Sequence, residues 1–183
     1  IFNHAKKIGI TLFSTPFDES AVELLENLDT PAYKLASFEI TDIPLIKTIA
    51  ETKKPILMST GMATLEEVSE AVEVAKSAGN DKIVLLHCIS SYPASLESAN
   101  LQNIPILREQ FNLDVGLSDH TMPDENLIVL SKAYELGASV IEKHFTAKEM
   151  KGKRGNDHFH SICFDDIKKL RENIKIIDVI NGN

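Results

Sequence analysis

The sequence has 183 residues, 43% hydrophobic and 25% charged, the make-up of a globular chain with a core, which excludes collagen-like, disordered and disulfide-scaffold classes. Lys and Arg number 19 against 27 Asp and Glu, a formal charge of −8, so phosphate polyanions and anionic membrane surfaces are repelled and neither nucleic acid nor a membrane is expected as a partner. Cys88 and Cys163 are the two cysteines; neither has a Cys-x-x-Cys neighbour, which fits a reducing, cytoplasmic setting and no thiolate zinc site. The apolar stretches at residues 83–86 and 127–130 fall far short of the ~20 residues that span a bilayer. The chain opens on Ile1 with no signal peptide and no Met, as expected of a piece of a longer polypeptide.

In chain order, β-rich runs stand at residues 10–14, 32–36, 55–59, 83–89, 114–118 and 140–145, and helical spacing of apolar residues follows each. After the third run, Leu65, Val68, Ala71, Val72 and Ala75 recur at three and four and share one face. Thr64 with Glu67 forms a capping box at the start of that helix, and Gly79-Asn80 closes it. Strands joined by helical crossovers are parallel, which makes the class α/β. Runs such as Pro55-Ile-Leu-Met and Ile83-Val-Leu-Leu are apolar on both faces, as strands covered on both sides require. Strand starts spaced by about 22–31 residues favour a (β/α) barrel over an open doubly wound sheet. No Gly-x-Gly-x-x-Gly or Walker loop follows any strand, and no linker or low-complexity stretch divides the chain.

In a barrel the chemistry sits at the C-terminal ends of the strands, and these ends are polar: Ser14-Thr-Pro, Lys34 to Ser37 with Glu39, Ser59-Thr-Gly, the segment 87–92, Ser118-Asp-His-Thr and Glu142-Lys-His-Phe-Thr. Side chains alternate along a strand, so Ser118 and His120 share one face and Glu142 and His144 share another. Adjacent strands then bring the two imidazoles together as an open site for Mn²⁺, Zn²⁺ or Fe²⁺. Thr15, Ser37, Ser59 and Ser118 with Lys34 as the cation make a phosphate site that needs no glycine loop. The polar loop 152–161 contributes Asp157 as a contact to a sugar. His87 reads as structural and His4 as incidental.

Together Phe13-Ser-Thr-Pro-Phe, Tyr33-Lys-Leu-Ala-Ser-Phe-Glu, Leu57-Met-Ser-Thr-Gly-Met, Leu86-His-Cys with Ser91-Tyr-Pro, Gly116-Leu-Ser-Asp-His-Thr, and Glu142-Lys-His-Phe-Thr with Gly155-Asn-Asp-His resemble the sialic acid synthase family. That family comprises the N-acetylneuraminate synthases and their relatives making legionaminic, pseudaminic and spore-coat nonulosonic acids. The resemblance implies a (β/α)8 TIM barrel, of which residues 1–183 form a single partial catalytic domain running from about the third strand to the eighth. It also implies condensation of phosphoenolpyruvate with an open-chain N-acylated amino sugar such as N-acetylmannosamine, giving a nine-carbon 2-keto acid and phosphate. The implied cofactor is a divalent metal, Mn²⁺ with Mg²⁺ or Co²⁺ as substitutes, on His120 and His144. By motif position Thr15, Lys34, Ser37, Ser59, Ser90 and Ser118 surround phosphoenolpyruvate, while Glu39, Tyr92 and Asp157 face the sugar. Glu39 is the candidate for proton handling, and Lys34 is counted with it as catalytic. Ser90 stands where some members carry Asn. The family further implies two earlier strands, a C-terminal antifreeze-like domain reaching a partner's site, a homodimer at full length, and an isolated piece without synthase activity.

Two other classes compete with this reading. A Schiff-base pyruvate aldolase would use Lys34 or Lys143 as nucleophile, although Lys143 has the opposite strand parity to His144. A sugar-binding barrel without catalysis would bind ligand and release no phosphate.

Overall fold

The computed structural model describes residues 1–153, 155 and 157–182. Helices α1 (Phe2–Ile8) and α2 (Glu19–Asn27) precede β1 (Tyr33–Leu35). Then come α3 (Ile43–Glu51), β2 (Ile56–Ser59), α4 (Leu65–Ser77), β3 (Ile83–Cys88), α5 (Asn103–Phe111), β4 (Asp114–Asp119), α6 (Ile128–Glu135), β5 (Ile141–Lys143) and α7 (Phe164–Asn181), with 3-10 turns at Ser37–Glu39 and Lys148–Met150. The strands lie in the sheet in chain order, β1-β2-β3-β4-β5, and the pairs β1/β2 and β4/β5 are parallel. An open doubly wound sheet reverses its order at a switch point. An order that follows the chain with helices between the strands is that of a (β/α) barrel. Among the described residues, no helix is long and apolar enough to cross a membrane.

The chain divides into two compact units, Ile1–Leu85 and Leu86–Asn183. In the first, Leu45, Ile46 and Ile49 of α3 and Val68, Ala71, Val72 and Ala75 of α4 are buried, the 3.6-residue stripe that the spacing predicts. Leu65, expected on the same face, is 44% exposed at the head of its helix. The expected capping box is present: Thr64 N donates to Glu67 Oε2 at 2.8 Å, and Glu67 N donates to Thr64 Oγ1 at 3.2 Å. At the other end Gly79 N bonds to Lys76 O and Asn80 N to Ala75 O, the Schellman pair that a glycine at positive φ permits.

The first β-rich run, residues 10–14, is not a strand. Its single pairing is a bridge from Ser14 to Tyr33, with Lys34 N donating to Ser14 O at 3.1 Å. The cause lies in the preceding helix. Gly9 ends α1 at φ 74, and Ile10 N bonds back to Ala5 O, so the start of the run completes the helix terminus rather than a ladder.

In the second unit β4 is buried from Val115 to Asp119, and its register with β5 sets Ser118 opposite Glu142 and Asp119 opposite Lys143. Lys143 and Asp119 form an ion pair of 2.7 Å with side chains 3% and 4% exposed. A buried pair survives only if its remaining donors and acceptors are satisfied. Here Lys143 Nζ also donates to Thr121 O at 2.6 Å, while Asp119 accepts from Thr121 N and Thr121 Oγ1 at 3.0 and 3.1 Å. After β5, a bridge between Phe145 and Ile162, with Thr146 N donating to Ile162 O and Ile162 N to His144 O, both at 2.9 Å, ties the segment after the loop to the end of that strand.

Gly116 lies in the middle of β4, where a Cβ would press on the Val140 carbonyl oxygen and stand 2.8 Å from Leu86 Cδ2. Backbone cannot yield as a flexible side chain does. Gly116→Ala is therefore expected to destabilise the fold by about 1–3 kcal/mol, read as a lower denaturation midpoint; an unchanged midpoint would show that the strand gives way freely.

Candidate active site

In the first unit the parallel register sets Lys34 of β1 opposite Leu57, and the lysine reaches the end of β2. Its Nζ donates to Ser59 Oγ at 2.7 Å and to Leu35 O at 3.1 Å. Ser59 is buried, as is Ser37, whose Oγ accepts from Gly61 N at 3.1 Å. Thr15 follows the residue bridged to Tyr33 and is half-buried, so the backbone brings it to the same strand. An ammonium fixed among hydroxyls on neighbouring strand ends is suited to an anionic group. Glu39 ends the 3-10 turn after β1. Burial raises its pKa above the ordinary glutamate value, and its Oε2 is buried with no hydrogen-bond partner among the described residues, properties of a carboxyl that keeps its proton to higher pH than an ordinary glutamate.

In the second unit the parity expected of β4 and β5 holds. Ser118 Oγ donates to Glu142 Oε1 at 2.6 Å, so on that face the serine is engaged with a carboxylate. The imidazoles of His120 and His144 meet with ring centroids 5.3 Å apart. Lys143 lies on the other face in its ion pair. Burial lowers its pKa while Asp119 opposes the shift, and two of its donors are committed to Asp119 and Thr121.

The histidines differ in their partners. His120 is buried, and its Nδ1 lies 2.9 Å from Ile89 O and 3.9 Å from Cys88 Sγ. A ring N–H donated to a carbonyl fixes the tautomer and leaves Nε2 with a free lone pair. Burial disfavours the His120 imidazolium, but the contacts with Cys88 and Ile89 outweigh it and the pKa is raised. His144 is lowered by burial and by His120, which favours the neutral imidazole that ligates metals. His144 Nδ1 is 3.6 Å from Asp157 Oδ2.

Asp157 stands at φ 60, a left-handed conformation uncommon outside glycine and held only by local tethers. Here Ser161 Oγ donates to Asp157 O at 2.8 Å and His160 N does so at 3.3 Å. Arg154 and Asn156 of the same loop lie outside the described residues. Tyr92 rests its ring 4.0 Å from His120 and 5.9 Å from His144, centroid to centroid. Ser90 Oγ is buried without a hydrogen-bond partner among the described residues. His87 is structural as expected, its Nε2 at 2.8 Å from Ala99 O.

Sequence reasoning missed His160. It is fully buried, and its ring lies 4.7 Å from His144 and 6.2 Å from His120. The ligand atoms of His144, Asp157 and His160 all fall within 4.8 Å of one another, a set that does not include His120. The signal was the alternation Asp157-His-Phe-His, which a polar-loop reading passed over. Imidazoles, a carboxylate, and the His160 nitrogens, buried without hydrogen-bond partners among the described residues, are a donor set that fits a divalent transition-metal ion.

The chain is 43% identical over 175 residues to the pseudaminic acid synthase of Helicobacter pylori, an alignment covering 96% of this chain and 50% of that protein. It is 42% identical over 182 residues to the N,N'-diacetyllegionaminic acid synthase of Campylobacter jejuni, covering 98% and 53%. The crystal structure of the spore coat polysaccharide biosynthesis protein SpsE from Bacillus subtilis superposes with a TM-score of 0.90 at 33% identity, over 99% of this chain and 50% of that one. This chain spans about half the length of the curated relatives it matches. The NeuB family pattern matches residues 1–183, and the chain belongs to the NeuB family.

Proposed function

We propose that the chain is part of a cytoplasmic nonulosonic acid synthase, homodimeric at full length, that condenses phosphoenolpyruvate with an open-chain N-acylated amino sugar. The observation that carries the reading is the cluster of His144, at the end of β5, with Asp157 and His160, beside His120 at the end of β4, in a chain related to pseudaminic and legionaminic acid synthases.

In this reading Lys34, hydrogen-bonded to Ser59, binds the phosphate with Thr15 and Ser37 beside it. The C3 carbon of phosphoenolpyruvate bonds to the aldehyde carbon, whose carbonyl π pair moves to oxygen. Water adds at the cationic C2, and phosphate departs as the C2 carbonyl forms. His120 and His144 would hold the divalent metal, which when bound would supply Lewis-acid polarisation of the aldehyde oxygen. Ile89 O fixes the tautomer of His120. Asp157 and Tyr92 orient the sugar, and Glu39, with its raised pKa, exchanges the protons of the aldehyde oxygen and the entering water. Ser118 positions Glu142.

Three outcomes test this in the full-length protein. Lys34→Ala should raise the KM for phosphoenolpyruvate about 10- to 100-fold, the equivalent of a charge-assisted contact of roughly 1.5–3 kcal/mol, with the sugar KM little changed; equal effects on both would place the lysine elsewhere. His120→Ala and His144→Ala should each abolish metal-dependent turnover in a folded protein, and undiminished Mn²⁺ activation in both would reject the assignment. Because the Glu39 carboxyl stays protonated to higher pH than an ordinary glutamate, Glu39→Gln should remove an ionisation above that ordinary value from the kcat profile. A profile of unchanged shape would assign proton handling to another group.

A further inference from the structure

His160 is the most buried of the clustered histidines, and among the described residues it is the one whose two ring nitrogens are both fully buried without a hydrogen-bond partner. Leaving a buried polar group unsatisfied costs about 1–3 kcal/mol, and the rings of Tyr92 at 5.8 Å, Phe159 at 4.7 Å, His144 at 4.7 Å and His120 at 6.2 Å between centroids surround it. A core imidazole kept for packing alone would be served as well by an aromatic hydrocarbon.

The spacing has another explanation. With a metal–nitrogen bond of about 2.1 Å and tetrahedral angles, imidazoles sharing one ion have ring centroids roughly 5 Å apart. Two of the three distances here, 4.7 and 5.3 Å, match that spacing and both involve His144, while His120 and His160 stand farther apart at 6.2 Å. A ring nitrogen of His160 also lies within 4.8 Å of ligand atoms of both His144 and Asp157. The bridge between Phe145 and Ile162 holds the backbone that follows His160 against the end of β5, so the closeness is built by the fold.

We infer that His160 is a third imidazole ligand to the metal bound at His120 and His144, with Asp157 as the adjoining carboxylate. The inference rests on the metal reading of the proposed function and goes beyond it. Three imidazoles shift a site away from the hard, oxygen-preferring Mg²⁺ towards Zn²⁺, Co²⁺ or Fe²⁺, so this chain discriminates between those ions more strongly than a two-histidine site would.

The test is a Zn²⁺ titration of metal-free, full-length protein labelled with ¹⁵N in its histidines, following each imidazole's nitrogens by NMR. The expected result is that nitrogens of His120, His144 and His160 move together and saturate at one equivalent. If His120 and His144 move and His160 does not, the third-ligand inference is overturned while the metal reading stands; if none of the three moves, both fall. The His160→Phe variant keeps an aromatic ring in the buried position and removes the donor. It should bind Zn²⁺ at least about tenfold more weakly, with a smaller loss for Mg²⁺; unchanged Zn²⁺ affinity would overturn the inference, and the wild-type titration decides it alone if the variant does not fold.

Discussion

The register between β4 and β5 is the constraint on which the second unit depends. A parallel pair can slip by one residue only by turning every side chain to the opposite face. Here Asp119 and Lys143 stand directly opposite one another and form a buried ion pair. Leaving either charge buried without the other would cost about 3–5 kcal/mol, so the pair selects this register over its neighbours. Once that face is fixed, Ser118 and Glu142 must meet on the other, and His120 and His144, two residues further along each chain, converge beyond them. The residue pair least available to substrate thus sets where the imidazoles go.

The first unit uses a simpler device. Parallel strands β1 and β2 in fixed register let a lysine on one strand bond a serine on the next, and the loop after Ser59 returns a backbone N–H to Ser37. These contacts orient the ammonium at the strand ends. Each device belongs to its own unit, and the chain's relatives include synthases of pseudaminic and legionaminic acids.

Much of this was legible in the sequence because it depends on local periodicity. The period of two along 114–120 and 140–144 was enough to place Ser118, His120, Glu142 and His144 on one side and Lys143 on the other. Thr64 and Glu67 announced their capping box through spacing alone. What could not be read depended on longer or competing contacts. Residues 10–14 have strand-forming side chains, yet the hydrogen bond from Ile10 to Ala5 gives the run's start to a helix end. His160 was hidden because the pairing that positions it is a single bridge at Ile162, too short to leave an alternating pattern. The loop before it looked merely polar. The burial of His160 arises from tertiary contacts that no window of residues displays.

The central claim is tested most directly by following inorganic phosphate and 2-keto acid together when the full-length protein is given phosphoenolpyruvate, Mn²⁺ and a panel of N-acylated hexosamines. The account predicts one phosphate released for each nine-carbon keto acid formed, with neither product when the sugar or the metal is withheld. Phosphate release that ignores the sugar, or irreversible inactivation by borohydride in the presence of pyruvate, would contradict it.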